Sequence, residues 1–498
     1  MKVCFFLQRN YARTGHLLAV WLKEKYGVRD FCAYVGLRRS YEFLISQKDI
    51  SYGRLVLDEE VHNRYREEKL DLNYLKRLEQ EYGIPNLWHY LTVDREITGD
   101  QARREYPYDI PRYTHEEMLR ILQVTAKAVI RFLDEEKPDF IVFSIIGAVP
   151  SLLLYHIAKK RGVGILHILT VPFKDRFTVS DRYDIFTDAE KIFKSNLVAK
   201  KRGGFYDEAK RILEQFRKSP HPYDPKRTAE GQPVNRAKQF SFLLPSNLAR
   251  SLLWFAKLVR GHLMSTTRND YTHISPWNYL KDHTKRKIRN LIGVADLYDA
   301  FDEREQYAFF ALCYEPEMSL SLLAPHATDQ LAIARQTARS LPVGWKLYVK
   351  EHPEMVPYRP RAYYKELKKI PNVRLINPGI DGTTLVMHAG LVVTVTGSAA
   401  WEGVLLKKPA IVFGSRFYNA LSMIEKCANI EELPSLVKKQ IEEWWYDEEE
   451  LLQFIAAILE DSASLSFIHL WEQEFDDTKK KRGLEPLADL IAKKLGLA

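Results

Sequence analysis

The residues best suited to binding an anion follow two apolar segments in the second half of the chain. Lys350, Glu351, His352 and Pro353 close the segment KLYVKEHP, and the stretch TGSAAWEG (396–403) follows the apolar run LVVTV. A lysine ammonium and an imidazole N–H can both donate to a phosphate. A turn of small residues before a helix also lets an anion approach backbone N–H groups. The two stretches therefore predict a phosphate-binding site.

The Lys-Glu-His-Pro stretch predicts a pair of donors on one side of a strand end. Pro353 cannot continue a hydrogen-bonded ladder, so it marks where the strand stops. Successive side chains of a strand alternate, which places Lys350 and His352 on one side and Glu351 on the other. The alternative is a strand-end histidine that bonds a nearby carbonyl and binds no ligand.

The second stretch predicts a strand, a tight turn and a helix that carries one acid. Gly397, Ser398 and Ala399 form the turn, and Ser398 is a candidate N-cap. Glu402 lies four residues further on and would face the same side, where its carboxylate could accept two hydroxyl hydrogen bonds from a ribose. The alternative is a simple strand-to-helix connection in which Glu402 is solvated.

Glu317 is a further candidate contact, because the run YEPEMS follows the apolar segment AFFALC at the end of another predicted strand. Its position suits contacts to a nucleotide or to a transferred group. An ordinary proline-containing turn is the alternative.

Two residues of the first half are candidate catalytic bases. His16 follows the first predicted strand and opens the first helix, where a neutral imidazole could take a proton from a hydroxyl. Asp175, in TVPFKDRF, follows another predicted strand. The sequence does not rank one above the other, and a helix-start histidine with no catalytic role is the alternative for His16.

The order of apolar segments predicts two α/β domains with mainly parallel sheets. Short apolar runs alternate with helical patterns at both ends of the chain, which is typical of βαβ units. We predict a Rossmann-like acceptor-side domain over residues 1–200 and a Rossmann-like nucleotide-binding domain over 301–460, facing a cleft. Residues 201–300 are predicted as a basic helical insertion that includes a linker at 219–236, and 461–498 as a helical tail packing back across both domains.

The charge balance favours anionic partners. The chain has 74 basic and 65 acidic residues, a net charge of +9. Within SNLARSLLWFAKLVRGHLM (246–264), Arg250, Lys257 and Arg260 lie opposite an apolar face, the pattern of a helix drawn to anionic lipid. A helix packed on a domain would look similar. Nucleic acid is not expected, because no recognisable nucleic-acid motif accompanies the charge.

Several absent motifs narrow the chemistry and the location. The sequence has no GxxxxGK[ST], GxGxxG, HExxH or GxSxG, and no Asp-x-Asp pair that could hold a divalent cation. We therefore expect no metal and no cofactor. Four scattered cysteines, no signal-peptide pattern and no long apolar run predict a cytoplasmic protein that is peripheral to a membrane.

The stretches VKEHP, VVTVTGSAAWEGVLLKKPAIVFG and YEPEMS together resemble glycosyltransferases of the GT-B fold that build bacterial capsules and other surface polysaccharides. The resemblance is clearest over 308–419. It implies donor-nucleotide binding by His352, Pro353, Ser398 and Glu402, and a shared Pro-Glu pair at Glu317. Relatives often have Ser or Thr where this chain has Ala399. CMP-activated acidic sugars such as sialic acid or Kdo are one implied donor class, and UDP- and GDP-sugars are others.

These observations lead to one hypothesis and two alternatives. We expect a metal-independent glycosyltransferase that moves a sugar from a nucleotide-sugar donor to a growing surface polysaccharide or lipid-linked saccharide. A nucleotide-sugar epimerase on the same fold is an alternative. A polysaccharide-assembly protein without catalytic activity is the other.

Overall fold

A computed structural model describes residues 1–8, 11–100, 106, 110–221, 241, 244–265, 268–356 and 358–497. Residues 222–236 of the predicted linker lie outside the described residues.

The described secondary structure alternates strands and helices through both halves of the chain. The strands are β1 Lys2–Leu7, β2 Asp30–Val35, β3 Tyr52–Leu57, β4 Phe140–Phe143, β5 Gly164–Thr170, β6 Arg176–Ser180, β7 Tyr307–Ala311, β8 Lys346–Lys350, β9 Val373–Ile376, β10 Leu391–Thr394, β11 Ala410–Val412, β12 Ile424–Lys426 and β13 Ser462–Ser464. The helices are α1 Ala12–Tyr26, α2 Arg38–Ser46, α3 Asp58–Asn63, α4 Leu72–Tyr82, α5 Trp88–Val93, α6 His115–Glu136, α7 Val149–Lys160, α8 Thr187–Ala199, α9 Tyr206–Lys218, α10 Pro245–Met264, α11 Pro276–Ile292, α12 Met318–Ser321, α13 Gln330–Ser340, α14 Arg361–Lys368, α15 Gly382–His388, α16 Ala399–Leu405, α17 Leu433–Glu442, α18 Glu448–Glu460, α19 Phe467–Glu472, α20 Asp477–Gly483 and α21 Glu485–Lys494.

The first sheet has seven strands in the order β13-β6-β5-β4-β1-β2-β3. Strands β1 to β5 are parallel to their neighbours, whereas β6 and β13 pair antiparallel at one edge. β1 and β4 are apolar and nearly fully buried, as expected for central strands of a parallel sheet covered on both faces. The longest flanking helix, α6, starts at a capping box formed by Thr114 and Glu117.

The second sheet has six strands in the order β12-β11-β10-β7-β8-β9, and every neighbouring pair is parallel. The strand order reverses beside β7, the first strand of this sheet in the chain. In open parallel sheets a ligand crevice forms at such a switch point, outside the carboxyl ends of the strands. The expected fold class, two Rossmann-like α/β domains with parallel sheets facing a cleft, is confirmed.

The chain crosses between the two domains more often than the domain boundaries predicted from the sequence imply. Helices α8 and α9 precede the second sheet, yet their buried side chains belong to the same apolar cluster as β7, β10 and α18. The end of the chain returns to the first sheet, where β13 pairs with β6 and α21 packs in one cluster with α1. The predicted boundary at residue 200 thus falls between two helices that pack on the second domain.

Helices α10 and α11 form a hairpin that projects from the domains. All of Pro245–Met264 is described, and none of its residues is buried. The two helices touch through Phe255 and Trp277, whose ring centroids are 5.5 Å apart. No helix in the described part of the chain has the length and apolar character needed to cross a bilayer.

Candidate active site in the cleft between the domains

A cleft of about 1050 Å³ lies where the carboxyl ends of the two sheets face each other. Its first-domain wall includes residues that follow β1, β2, β4 and β5, and its second-domain wall includes residues that follow β7, β8, β10 and β11. All eight residues predicted to bind the donor line this cleft. They are Glu317, Lys350, His352, Pro353, Gly397, Ser398, Ala399 and Glu402.

Lys350 is the last residue of β8 and brings an unpaired ammonium into the cleft. The ammonium makes no hydrogen bond to any described residue. Burial lowers the pKa of Lys350, and the negative charges of Asp381 and Glu402 oppose that shift. A partly desolvated cation with no direct partner is suited to bind an anionic group of a ligand.

His352 lies two residues beyond Lys350 and lines the same wall. Its Nδ1 accepts a hydrogen bond from the Glu354 amide at 3.3 Å. A neutral imidazole whose Nδ1 accepts carries its proton on Nε2, so Nε2 is the atom that can donate to a ligand. The alternative drawn from the sequence, a bond from the ring to a carbonyl, is not the one printed by this geometry.

The turn after β10 differs in detail from the prediction. Ser398 precedes α16 but does not cap it with its side chain. Its hydroxyl instead donates to Glu402 Oε1 at 2.9 Å, which orients the buried carboxylate one turn into the helix. The predicted N-cap role of the Ser398 side chain is therefore wrong, because Glu402 is the nearer and stronger acceptor for the hydroxyl.

Gly397 has a packing role in the same turn. Its amide donates to Thr394 Oγ1 at 3.1 Å, so it is already used within the protein. A Cβ at this position would come within 2.6 Å of that oxygen, which explains why a glycine stands here. The amides that follow, beginning with those of Ser398 and Ala399, are the ones that the turn can offer to a ligand.

Glu317 begins the short helix α12 and lines the cleft, where its carboxylate accepts from the Ser319 hydroxyl at 2.8 Å. Close behind the wall, Arg359 is 1% exposed and binds the carboxylates of both Glu351 and Glu315. Glu351 also accepts from the His352 amide at 2.6 Å. One buried guanidinium thus ties the turn after β7 to the turn after β8.

The two candidate bases lie elsewhere. His16 is not among the described residues that line the cleft, and its Nδ1 is 3.1 Å from the Tyr52 hydroxyl. Helix α1 begins at Ala12, so His16 lies one turn inside the helix rather than at its start. Burial lowers the pKa of its imidazole. The prediction that His16 faces the cleft is wrong.

Asp175 is exposed in the turn between β5 and β6, and it is likewise absent from the described lining of the cleft. The prediction treated the segment after β5 as a loop at the cleft. The chain instead reverses into the antiparallel strand β6, and the Asp175 carbonyl accepts from the Leu465 amide at 2.8 Å. This hairpin takes its side chain out of the cleft lining.

Several cleft residues were missed by sequence reasoning. Arg416 follows β11 and lines the donor-side wall, with a buried Nε that has no hydrogen-bond partner. The strand-end rule that identified Lys350 could have identified it as well. Arg95 and Glu96 line the opposite wall from a loop after α5, where no strand signal marks them.

The three basic residues predicted to meet a membrane or acceptor, Arg250, Lys257 and Arg260, are all exposed on α10. They do not line the cleft. The hairpin is nevertheless fastened beside it, because the Tyr271 hydroxyl donates to Asp58 Oδ2 at 2.5 Å and Tyr271 itself lines the first-domain wall. Arg38 and Asn63 bind the neighbouring Asp270.

Residues 263–426 match the protein family described as capsule polysaccharide biosynthesis protein. This region covers about a third of the chain and contains all eight predicted donor-binding residues. The match confirms the resemblance to capsule polysaccharide proteins drawn from the sequence. No curated protein matches the chain.

Two solved structures align with the chain at low TM-scores. A beta Kdo 2,7 transferase, KpsC from Thermosulfurimonas dismutans, is 10% identical with a TM-score of 0.36, covering 78% of this chain and 95% of its own. The UDP-GlcNAc 2-epimerase of Methanocaldococcus jannaschii is 12% identical with a TM-score of 0.25, covering 92% of this chain and 99% of its own. The fold class rests on the sheets and cleft of this chain itself.

Proposed function

We propose that this protein is a glycosyltransferase that moves a sugar from a nucleotide-sugar donor to a growing surface polysaccharide or a lipid-linked saccharide. The observation that carries the proposal is the second-domain wall of the cleft. There, cationic and hydrogen-bonding groups gather at the carboxyl ends of parallel strands, inside the region that matches the capsule polysaccharide family.

In this proposal the second domain holds the nucleotide. Lys350, His352 Nε2 and Arg416 face the phosphate, and Glu402 accepts the ribose hydroxyls. Cations at that position stabilise the negative charge that develops on the departing phosphate, which is the largest catalytic contribution expected of such a site. Closure of the two domains would exclude water and limit hydrolysis of the donor.

The donor and the absence of helpers are part of the proposal. A CMP-activated acidic sugar such as Kdo or sialic acid is one donor class, and UDP- and GDP-sugars are the others. We propose a metal-independent reaction without a cofactor, as the absence of an Asp-x-Asp pair suggests.

A panel of CMP-, UDP- and GDP-sugars tests the proposal. We expect one donor to raise the melting temperature and, with a saccharide acceptor, to release its nucleotide and extend the acceptor. Stabilisation by none of the donors would overturn the proposal. Formation of an epimer of the donor sugar without transfer would instead support the epimerase alternative.

We further propose that the α10–α11 hairpin rests on an anionic membrane surface at the cytoplasmic face. Its exposed apolar side chains include Leu248, Leu252, Leu253 and Trp277, from 48 to 67% exposed. Arg250, Lys257 and Arg260 add positive charge on the same helix. Apolar side chains beside basic ones are the combination that binds anionic lipid headgroups and the acyl boundary beneath them. A membrane-bound hairpin beside the cleft would bring a lipid-linked acceptor to the site.

Vesicle binding tests this second part. The double variant Leu248→Ser, Leu252→Ser should bind phosphatidylglycerol-containing vesicles at least about 10-fold more weakly than the wild type, because each buried leucine contributes about 1.5–3 kcal/mol when fully inserted. Both side chains are exposed, so the fold should be unaffected. Co-sedimentation with these vesicles and with neutral phosphatidylcholine vesicles measures the effect.

The matched control is Val198→Ser, Val343→Ser, which removes two exposed apolar side chains far from the hairpin sequence. It should bind vesicles like the wild type. Equal binding by all three proteins would exclude the hairpin as the membrane contact.

A further inference from the structure

The first-domain wall of the cleft carries a carboxylate to which neither the sequence nor the family match assigns a role. Three carboxylates of residues 1–200 are among the described residues that line the cleft: Asp94, Glu96 and Asp184. They differ in what their oxygens already bind.

Asp94 is occupied in holding the loop after α5. Its Oδ1 accepts from the amides of Glu96 at 3.0 Å and Ile97 at 3.3 Å, and its Oδ2 accepts from the Val149 amide at 2.9 Å. This carboxylate therefore fixes the backbone on which Glu96 stands. Asp184 is paired with the Arg182 guanidinium through two contacts of 2.6 and 2.9 Å.

Glu96 differs from both. Its carboxylate accepts no hydrogen bond from any described residue, and its Oε2 is buried without a partner. A buried polar atom left unsatisfied costs free energy, and such atoms are uncommon enough in native proteins to call for an explanation. A substrate hydroxyl bound in the cleft would supply the missing donor.

The neighbouring residue places Glu96 against the donor-side wall. Arg95 Nη1 donates to the Pro316 carbonyl at 2.8 Å, across the cleft and next to Glu317. Glu96 therefore stands where the first domain meets the wall that carries the nucleotide contacts. An acceptor hydroxyl approaching from the first domain would pass this carboxylate on its way to the donor sugar.

We propose that Glu96 is the catalytic base of the transfer reaction. The inference rests on the proposed glycosyltransferase function. The acceptor oxygen forms a bond to the anomeric carbon while its proton moves to the Glu96 carboxylate. The bond from that carbon to the donor phosphate oxygen breaks, and the phosphate leaves with the electron pair.

The surrounding charges suit this role. Burial, and next the charge of Asp94, raise the pKa of Glu96 to about 7; Asp100 raises the pKa further, whereas Arg95 and Arg112 lower it. A base with a pKa near the working pH is the most efficient. His167 also lines the cleft, but burial lowers the pKa of its imidazole to about 3, too low for an effective base.

The activity test uses Glu96→Gln and Glu96→Asp with the donor that stabilises the wild type. Glu96→Gln should lose at least about 100-fold in transfer rate, since general bases contribute about 10²–10⁴-fold. The nucleotide dissociation constant should not change. Wild-type transfer should fall as the pH drops below about 7, where the carboxyl becomes protonated. Glu96→Asp should recover part of the rate and keep this acidic limb, which Glu96→Gln should lack.

A stability test gives a readout that does not depend on activity. The folded pKa of Glu96 lies above its ordinary 4.5, so the folded state binds the extra proton between pH 4.5 and about 7 and loses stability as the pH rises through that window. Glu96→Gln has no such loss. Its melting temperature relative to the wild type should therefore be higher at pH 8 than at pH 5. Glu67→Gln, which changes an exposed carboxylate of the same domain, should show the same small difference at both pH values.

The outcomes separate the two levels of the proposal. Wild-type transfer rates in Glu96→Gln, or an acidic limb that persists in it, would overturn the role of Glu96 and leave the glycosyltransferase proposal standing. A wild-type protein that neither binds nor uses any donor would overturn both.

Discussion

Replacing Lys350 by methionine is expected to weaken nucleotide binding by about 10- to 150-fold while leaving the fold intact. A hydrogen bond to a charged group contributes about 1.5–3 kcal/mol, and each 1.4 kcal/mol is about a tenfold change in affinity. Because the ammonium makes no hydrogen bond within the described protein and is partly desolvated, its removal should not lower the melting temperature of the ligand-free protein. Calorimetric titration with CMP, UDP and GDP measures the affinity.

Lys346→Met is the matched control, because Lys346 begins the same strand, β8, and does not line the cleft. It should bind nucleotide like the wild type. A second check comes from pH: the pKa of Lys350 is lowered below its ordinary 10.5, so affinity should fall as the pH rises through that lowered value. An unchanged dissociation constant in Lys350→Met would remove this residue from the nucleotide site.

Replacing Arg359 by methionine should destabilise the second domain by about 3–5 kcal/mol, the cost of removing one partner from a buried ion pair. Arg359 and Glu351 both have fully buried side chains. Without the guanidinium, Glu351 becomes an uncompensated buried charge, and the turns after β7 and β8 lose their common anchor. Hydrogen–deuterium exchange of peptides covering Lys346–Lys350 measures the local loss of protection.

Arg361→Met tests whether the effect comes from burial. Arg361 pairs with Asp296, but the two side chains are 30 and 62% exposed, and exposed pairs contribute about 0–1 kcal/mol. Its exchange rates in Lys346–Lys350 should match those of the wild type. Equal protection in Arg359→Met would show that the two turns are held by other contacts.

The donor-side residues could be predicted because one local rule covers them. Lys350, His352 and Glu402 each follow an apolar run that ends in a small or strand-breaking residue. In a parallel sheet such residues converge at one edge, whatever the rest of the chain does. The same rule would have reached Arg416, which follows β11.

The first-domain site could not be predicted in this way. His16 was misplaced because the start of α1 lies four residues earlier than the sequence pattern suggested. Asp175 was misplaced because an antiparallel strand after β5 has the same apolar pattern as a strand that crosses to a helix. Glu96 follows a short helix rather than a strand, so no sequence rule marked it.

The sequence by itself determined the two α/β domains, the strand ends of the second sheet and the exposed basic helix. These depend on periodicity and on punctuation by glycine and proline, which act over a few residues. The tertiary structure decided which carboxylates and cations share the cleft, and which of them already have partners. Those properties come from contacts between residues far apart in the chain, such as Arg95 with Pro316 and Arg359 with Glu315.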